Sequence, residues 1–184
     1  MNRYANRIQS LALSAVCLAL CLVLPFLTGQ LPEIGNMLCP MHIPVLLCGF
    51  ICSPVWAAAV GFLAPLVRFA LFGMPPIYPV GIAMCFELAA YGAVSGLLWR
   101  RLPRKTSSIY ISLIAAMVCG RAVWGGVMAL VSGAGGAAFT WGAFISGAFT
   151  SAIPGIILHI ALIPVIVMAL QRAFPRQEAA GRRR

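Results

Sequence analysis

Two arginines and one glutamate stand where charge is costly. Arg68, Glu87 and Arg121 each lie inside a long apolar run. A charge near the middle of a spanning helix costs about 2.5–3.5 kcal/mol on insertion scales, so it must face protein, water or a ligand. Arg121 and Glu87 have opposite signs and can pair to fix two helices. The same two groups can also grip a polar ligand, and the two roles are compatible. Arg68 is about one turn from the end of its run, so it can either reach a ligand or snorkel to the surface.

Neighbours at helical spacing enlarge this set. Tyr91 is four residues from Glu87 and shares its face. Trp124 falls on the Arg121 face, together with Met117, Gly125 and Met128. An indole that deep seeks a partner for its N–H or a ring to stack on. Gly147, Ser151, Gly155 and His159 follow at successive i+4 steps, a small-residue stripe ending in a histidine. Small residues let helices or a ligand approach closely. His159 reads either as a hydrogen-bonded packing residue or as a ligand contact. His42 falls at the start of a short apolar run and reads as interfacial, or as a lid or pocket contact. The candidate substrate-binding residues are therefore Arg121, Glu87, Trp124, Arg68, His159, Tyr91 and His42.

Catalytic chemistry finds little support. There is no Asp, no H-E-x-x-H, no G-x-S-x-G and no acidic pair for a metal. The single lysine, Lys105, has no glycine loop around it, so the chain cannot use ATP through a phosphate loop. The seven cysteines include no C-x-x-C and no zinc spacing. Cys17/Cys21 and Cys48/Cys52 are i,i+4 pairs in apolar runs, where a thiol acts as a small apolar residue. Cys39 alone falls in an expected outer loop. We expect no enzyme, no metal and no cofactor.

Helices of a membrane must hold these residues. Hydrophobic residues make up 62% of the 184, and only 9% are charged. The mean hydropathy is +0.99. A soluble domain of this size is not so apolar, and a spanning helix needs about 20 residues. The runs predict an all-α integral membrane domain over 1–184. Six transmembrane helices are expected at about 8–28, 40–52, 54–72, 80–99, 109–131 and 141–170, with a basic tail over 171–184. The second is short for a span. Pro65 is expected to kink the third, and Pro154 and Pro164 can bend the overlong sixth. The run 8–28 follows Arg3 and Arg7 as in a signal peptide, but it is long enough to span and lacks a small-x-small site.

Charge orients the bundle. Of the thirteen Lys and Arg, all but Arg68 and Arg121 lie in the N-terminus, the 100–105 loop or the C-terminus. With six spans these share one side, and the loops near 29–39, 73–79 and 132–140 carry no Lys or Arg. The positive-inside rule then puts both termini in the cytoplasm. Trp56, Trp99 and Tyr110 would mark the inner interface, and Tyr78 and Trp141 the outer one. The net charge of +10 is spread over short loops and tails, which suits anionic lipid and not nucleic acid.

Ala15-Val16-Cys17-Leu18-Ala19 and Gly92-Ala93-Val94-Ser95-Gly96 are small-xxx-small patterns that permit close helix contact.

Several longer segments are similar to one family. They are Cys39-Pro40-Met41-His42-Ile43-Pro44-Val45-Leu46-Leu47-Cys48-Gly49-Phe50 and Gly61-Phe62-Leu63-Ala64-Pro65-Leu66-Val67-Arg68, the latter running on to Gly73-Met74-Pro75-Pro76. Phe86-Glu87-Leu88-Ala89-Ala90-Tyr91-Gly92, Gly120-Arg121-Ala122-Val123-Trp124-Gly125 and Ala152-Ile153-Pro154-Gly155-Ile156 complete the set. From about 8 to 170, the chain resembles the substrate-binding S components of energy-coupling factor (ECF) vitamin transporters. The resemblance implies six helices with both termini inside, and a vitamin or precursor bound beneath the outer loops. It also implies a transmembrane T subunit and two ATPase subunits as partners. Ala15 and Ala19 match the alanine motif that contacts the T subunit in the family. Toppling of the whole component in the bilayer would carry the ligand inward, with the 29–39 loop as a lid. Two interior arginines against one glutamate mildly favour an anion, so pantothenate is the first candidate; a pyridine or pyrimidine vitamin stacked on Trp124 is the next. The rival expectation is a ligand-free membrane scaffold or assembly subunit, in which these charges only join helices.

Overall fold

The computed structural model describes residues 3–27, 37–134, 140–147 and 152–173. They are helical, with no strand among the described residues. The elements are α1 (Arg3–Leu27), α2 (His42–Ile51), α3 (Pro54–Phe72), a π-turn (Ile77–Gly81), α4 (Ile82–Arg101), α5 (Thr106–Ala134), α6 (Trp141–Ile145) and α7 (Ile153–Ala173). Five helices among the described residues are long and apolar enough to cross a membrane, and α2 is a shorter apolar one. The expected run 109–131 extends by a turn at its start. The expected run 141–170 is described as α6 and α7, and residues 148–151 between them lie outside the described residues. So do Ser151, the basic tail beyond 173 and most of the 29–39 loop.

Local chemistry sets several boundaries. Ser53 caps α3, its Oγ accepting from the Trp56 N–H at 3.4 Å, and Pro54 occupies the first turn where no N–H is needed. Gly73 ends α3 at φ 68, a left-handed conformation that glycine adopts freely, and its N–H donates to the Phe69 carbonyl at 2.8 Å. The proline-rich stretch after it stays non-helical and contains two cis peptides, Met74–Pro75 and Tyr78–Pro79.

α2 is the hub. It touches α1, α3, α4 and α7, and every residue of it except Ile51 is buried. Its residues after His42 are apolar or small all round, which suits a helix enclosed on every side. Glycine permits the closest contacts around it: a Cβ on Gly96 would strike the Gly49 carbonyl of α2, and one on Gly92 would strike the Ala57 carbonyl of α3. The Gly92/Gly96 pattern therefore serves packing within the chain. Ala15 and Ala19 of α1 lie on its exposed side instead.

The basic end of the bundle is pinned to this core. Arg100 Nη2 donates to the Cys52 carbonyl at 3.0 Å, and the Arg104 guanidinium lies 5.3 Å from the Trp99 ring centroid. Trp99, expected at the interface, is buried against Phe50. Among the described residues no disulfide joins the cysteines; Cys48 Sγ donates to Ser14 Oγ at 3.9 Å and Cys52 Sγ to the Ser10 carbonyl at 3.7 Å, joining α1 to α2 and its C-terminal cap.

Candidate substrate site

Glu87 is the centre of the polar interior. It is 1% exposed, and side chains from three helices converge on its Oε1, two of them as donors and His42 as a close neighbour without a hydrogen bond. Arg121 Nη1 of α5 lies at 3.0 Å, Tyr91 Oη of α4 donates at 3.1 Å, and His42 Nε2 of α2 lies at 3.5 Å. Tyr91 reaches it from one turn along the same helix. Arg121 comes from the neighbouring helix because α4 and α5 pack along their length.

His159 of α7 completes the group. Its ring stacks on His42 with centroids 5.9 Å apart and planes 24° apart, and His42 lies 5.1 Å from the Tyr91 ring. His42 is 3% exposed, so it belongs to the interior and not to the interface. His159 is buried to the same degree.

This cluster is closed to water but not internally satisfied. His42 Nδ1 and Nε2, Arg121 Nε and His159 Nε2 are buried without a hydrogen-bond partner. A buried polar group left unpaired costs about 1–3 kcal/mol, so four such atoms side by side are unusual. The Arg121–Glu87 pair is costly to desolvate as well, and its attraction repays that cost only in good geometry. An arrangement of this kind can accept a guest that offers both donors and acceptors. Among the described residues, no group of three or more His, Cys, Asp or Glu could hold a metal ion.

The remaining candidates lie elsewhere. Arg68 is buried, but its Nη1 donates to the Leu22 carbonyl of α1 at 3.0 Å. Its guanidinium lies 5.7 Å from the Phe26 centroid and 5.5 Å from that of Phe72. It is engaged with α1 and not with the cluster, tying α1 to the C-terminal end of α3. Trp124 is half-buried and stacks on Phe144 at 6.4 Å and 27°, towards the α6 segment. It shares α5 with Arg121, about one turn away in sequence, and its ring faces Phe144 and Gly147.

One contributor escaped the sequence. Cys39 Sγ accepts from Arg121 Nη2 at 3.8 Å, which brings the segment before α2 onto the site. Its position three residues ahead of His42 was the available signal, and a loop cysteine gave no reason to use it.

The family profile for "ECF transporter, substrate-specific component" matches residues 9–167. The chain belongs to this family. No curated protein and no solved structure matches it significantly. As an ECF substrate-specific component it is a substrate-binding, multi-pass membrane subunit of an ECF importer. Membership implies association with a T subunit and ATPase subunits, and a small-molecule substrate. Proteins of this family are transport proteins.

Proposed function

We propose that this S component captures a vitamin or vitamin precursor from outside, and that Glu87, Arg121, Tyr91, His42 and His159 hold it. The observation that carries the reading is the set of unpartnered buried nitrogens on His42, Arg121 and His159. A ligand that pairs with them removes a standing cost, so binding energy and structural need coincide.

The charge balance bears on the ligand. Arg121 is neutralised by Glu87, and Arg68 is engaged with α1. The excess positive charge that favoured pantothenate therefore has no counterpart at the cluster. Two imidazoles, a phenol and the Trp124 indole nearby suit a flat heteroaromatic with ring nitrogens. A pyridine or pyrimidine vitamin is the substrate class proposed here.

Six spans, with α2 as the short one, and both termini in the cytoplasm remain the topology we favour, on the basic residues of the tails and of the 100–105 loop. The membrane would be the bacterial cytoplasmic membrane. Delivery would proceed by toppling, driven by two ATPase subunits through the T subunit. The exposed side of α1 that carries Ala15 and Ala19 supports a contact with that subunit.

A ligand-free scaffold draws on the Arg121–Glu87 pair, which is complete without a guest. It leaves the histidine nitrogens without purpose. Titration of purified protein with pantothenate, pyridoxine and thiamine, read by tryptophan fluorescence, separates the two. Saturable quenching by pyridoxine or thiamine is expected; a well-folded sample that responds to none of a full vitamin panel would favour the scaffold.

A further inference from the structure

We infer that Cys39 is the positioning residue of this site, holding Arg121, His42 and His159 in register from three different helices. The inference rests on the binding site proposed above and adds a determinant of its geometry.

The first observation is a backbone outlier. Among the described residues Cys39 is the non-glycine residue with a positive φ, 47°. The left-handed region disfavours residues with a Cβ, and glycine or asparagine normally fills it. A cysteine there calls for a use of its side chain.

The contacts supply that use. Cys39 Sγ accepts from Arg121 Nη2 at 3.8 Å, on the guanidinium whose Nη1 holds Glu87. The Cys39 carbonyl accepts the His42 N–H at 3.0 Å and so fixes the start of α2. The Cys39 backbone is also hydrogen-bonded to His159. α7 approaches this same segment closely, since a Cβ on Gly155 would strike the Met37 carbonyl at 2.6 Å. One residue thus ties α2, α5 and α7 together.

An independent observation points to a guest at this place. His42 and His159, each 3% exposed, and Arg121, 8% exposed, all present unpartnered nitrogens beside Cys39. Burial pushes the Cys39 thiol up, so the sulfur is neutral and acts as a hydrogen-bond acceptor, not as an anion. A serine hydroxyl can replace that function; a glycine cannot, although it suits the backbone better.

Two arms test this. In the first, ligand-free protein is labelled with N-ethylmaleimide and the Cys39 peptide is followed by mass spectrometry. Arg121→Met combined with Glu87→Leu, which removes the guanidinium without leaving a buried charge, should raise the labelling rate about threefold or more, the scale of one lost hydrogen bond. An unchanged rate overturns the coupling of Cys39 to Arg121, whatever the substrate proves to be. In the second, pyridoxine and thiamine affinities and thermal unfolding are measured for Cys39→Gly and Cys39→Ser. Cys39→Gly should unfold no earlier than wild type yet bind about tenfold more weakly, and Cys39→Ser should recover most of that loss. Equal binding by the glycine variant overturns the positioning role. If wild type binds neither compound, the substrate class above fails, and the labelling arm still decides the role of Cys39.

Discussion

The ring of Tyr91 occupies the place that a side chain at position 120 would need. A Cβ on Gly120 would strike Cδ1 and Cε1 of that ring. α5 omits a side chain so that α4 can set a phenol beside Glu87. The residue after the gap is Arg121, so the omission also lets the guanidinium and the phenol meet the same carboxylate oxygen.

Gly120→Ala should therefore displace Tyr91 and lengthen its hydrogen bond to Glu87. Overpacking costs about 1–3 kcal/mol. The better helix propensity of alanine returns at most about 1 kcal/mol. The net loss should appear as a lower melting temperature in detergent, together with weaker quenching by pyridoxine or thiamine. Wild-type values for both would mean that Tyr91 has another equally good seat.

The charge pair tells the binding role from the packing role. Arg121→Ala should abolish vitamin binding without preventing membrane insertion. Because it leaves Glu87 buried and unpaired, it should also cost about 3–5 kcal/mol of stability. Replacing both members, as in Arg121→Met with Glu87→Leu, removes the uncompensated charge and should restore most of that stability. Binding should stay absent. A stable double variant that still binds the vitamin would remove these two residues from the site.

Arg68 should behave in the opposite way. Arg68→Met keeps the aliphatic bulk but removes the hydrogen bond to the Leu22 carbonyl and ends the contacts with Phe26 and Phe72. The expected loss is about 1–3 kcal/mol of stability with vitamin affinity unchanged. Parallel melts and titrations check it. A large fall in affinity at normal stability would bring Arg68 back to the substrate.

Bulk on the exposed side of α1 should separate capture from delivery. Ala15→Leu and Ala19→Leu should leave the isolated protein able to bind the vitamin, because neither alanine is buried in the chain. Uptake by cells and co-purification with the T subunit should both fall. Normal uptake in both variants would move the partner surface elsewhere.

The charges inside apolar runs were legible in the sequence for a thermodynamic reason. Glu87 and Arg121 could not remain unpaired at that depth, and period and depth alone put them near each other. Tyr91 followed from its spacing to Glu87. His42 was harder: it begins a run of ten residues, and nothing local reveals that this run is enclosed by four others. Its burial is a tertiary fact. Arg68 was ambiguous for the same reason. The carbonyl it satisfies lies 46 residues away on α1, and no pattern near position 68 announces that partner. Cys39 needed a backbone angle that side-chain chemistry does not encode. The family, by contrast, was legible in motifs spread over most of the chain, and the match to residues 9–167 bears this out.

The enclosure of α2 has a consequence for life in a real bilayer. Helices that face acyl chains must tilt, stretch or compress with the thickness of the hydrocarbon layer, at fractions of a kcal/mol per ångström. A helix that meets only protein is excused from that adjustment. α2 carries His42 at its head and is wrapped by α1, α3, α4 and α7. Changes in lipid length, temperature or sterol-like ordering will then be absorbed by the outer helices first. The seat of His42 should vary little between short-chain and long-chain lipids, while the residues that α4, α5 and α7 bring to it shift with their helices.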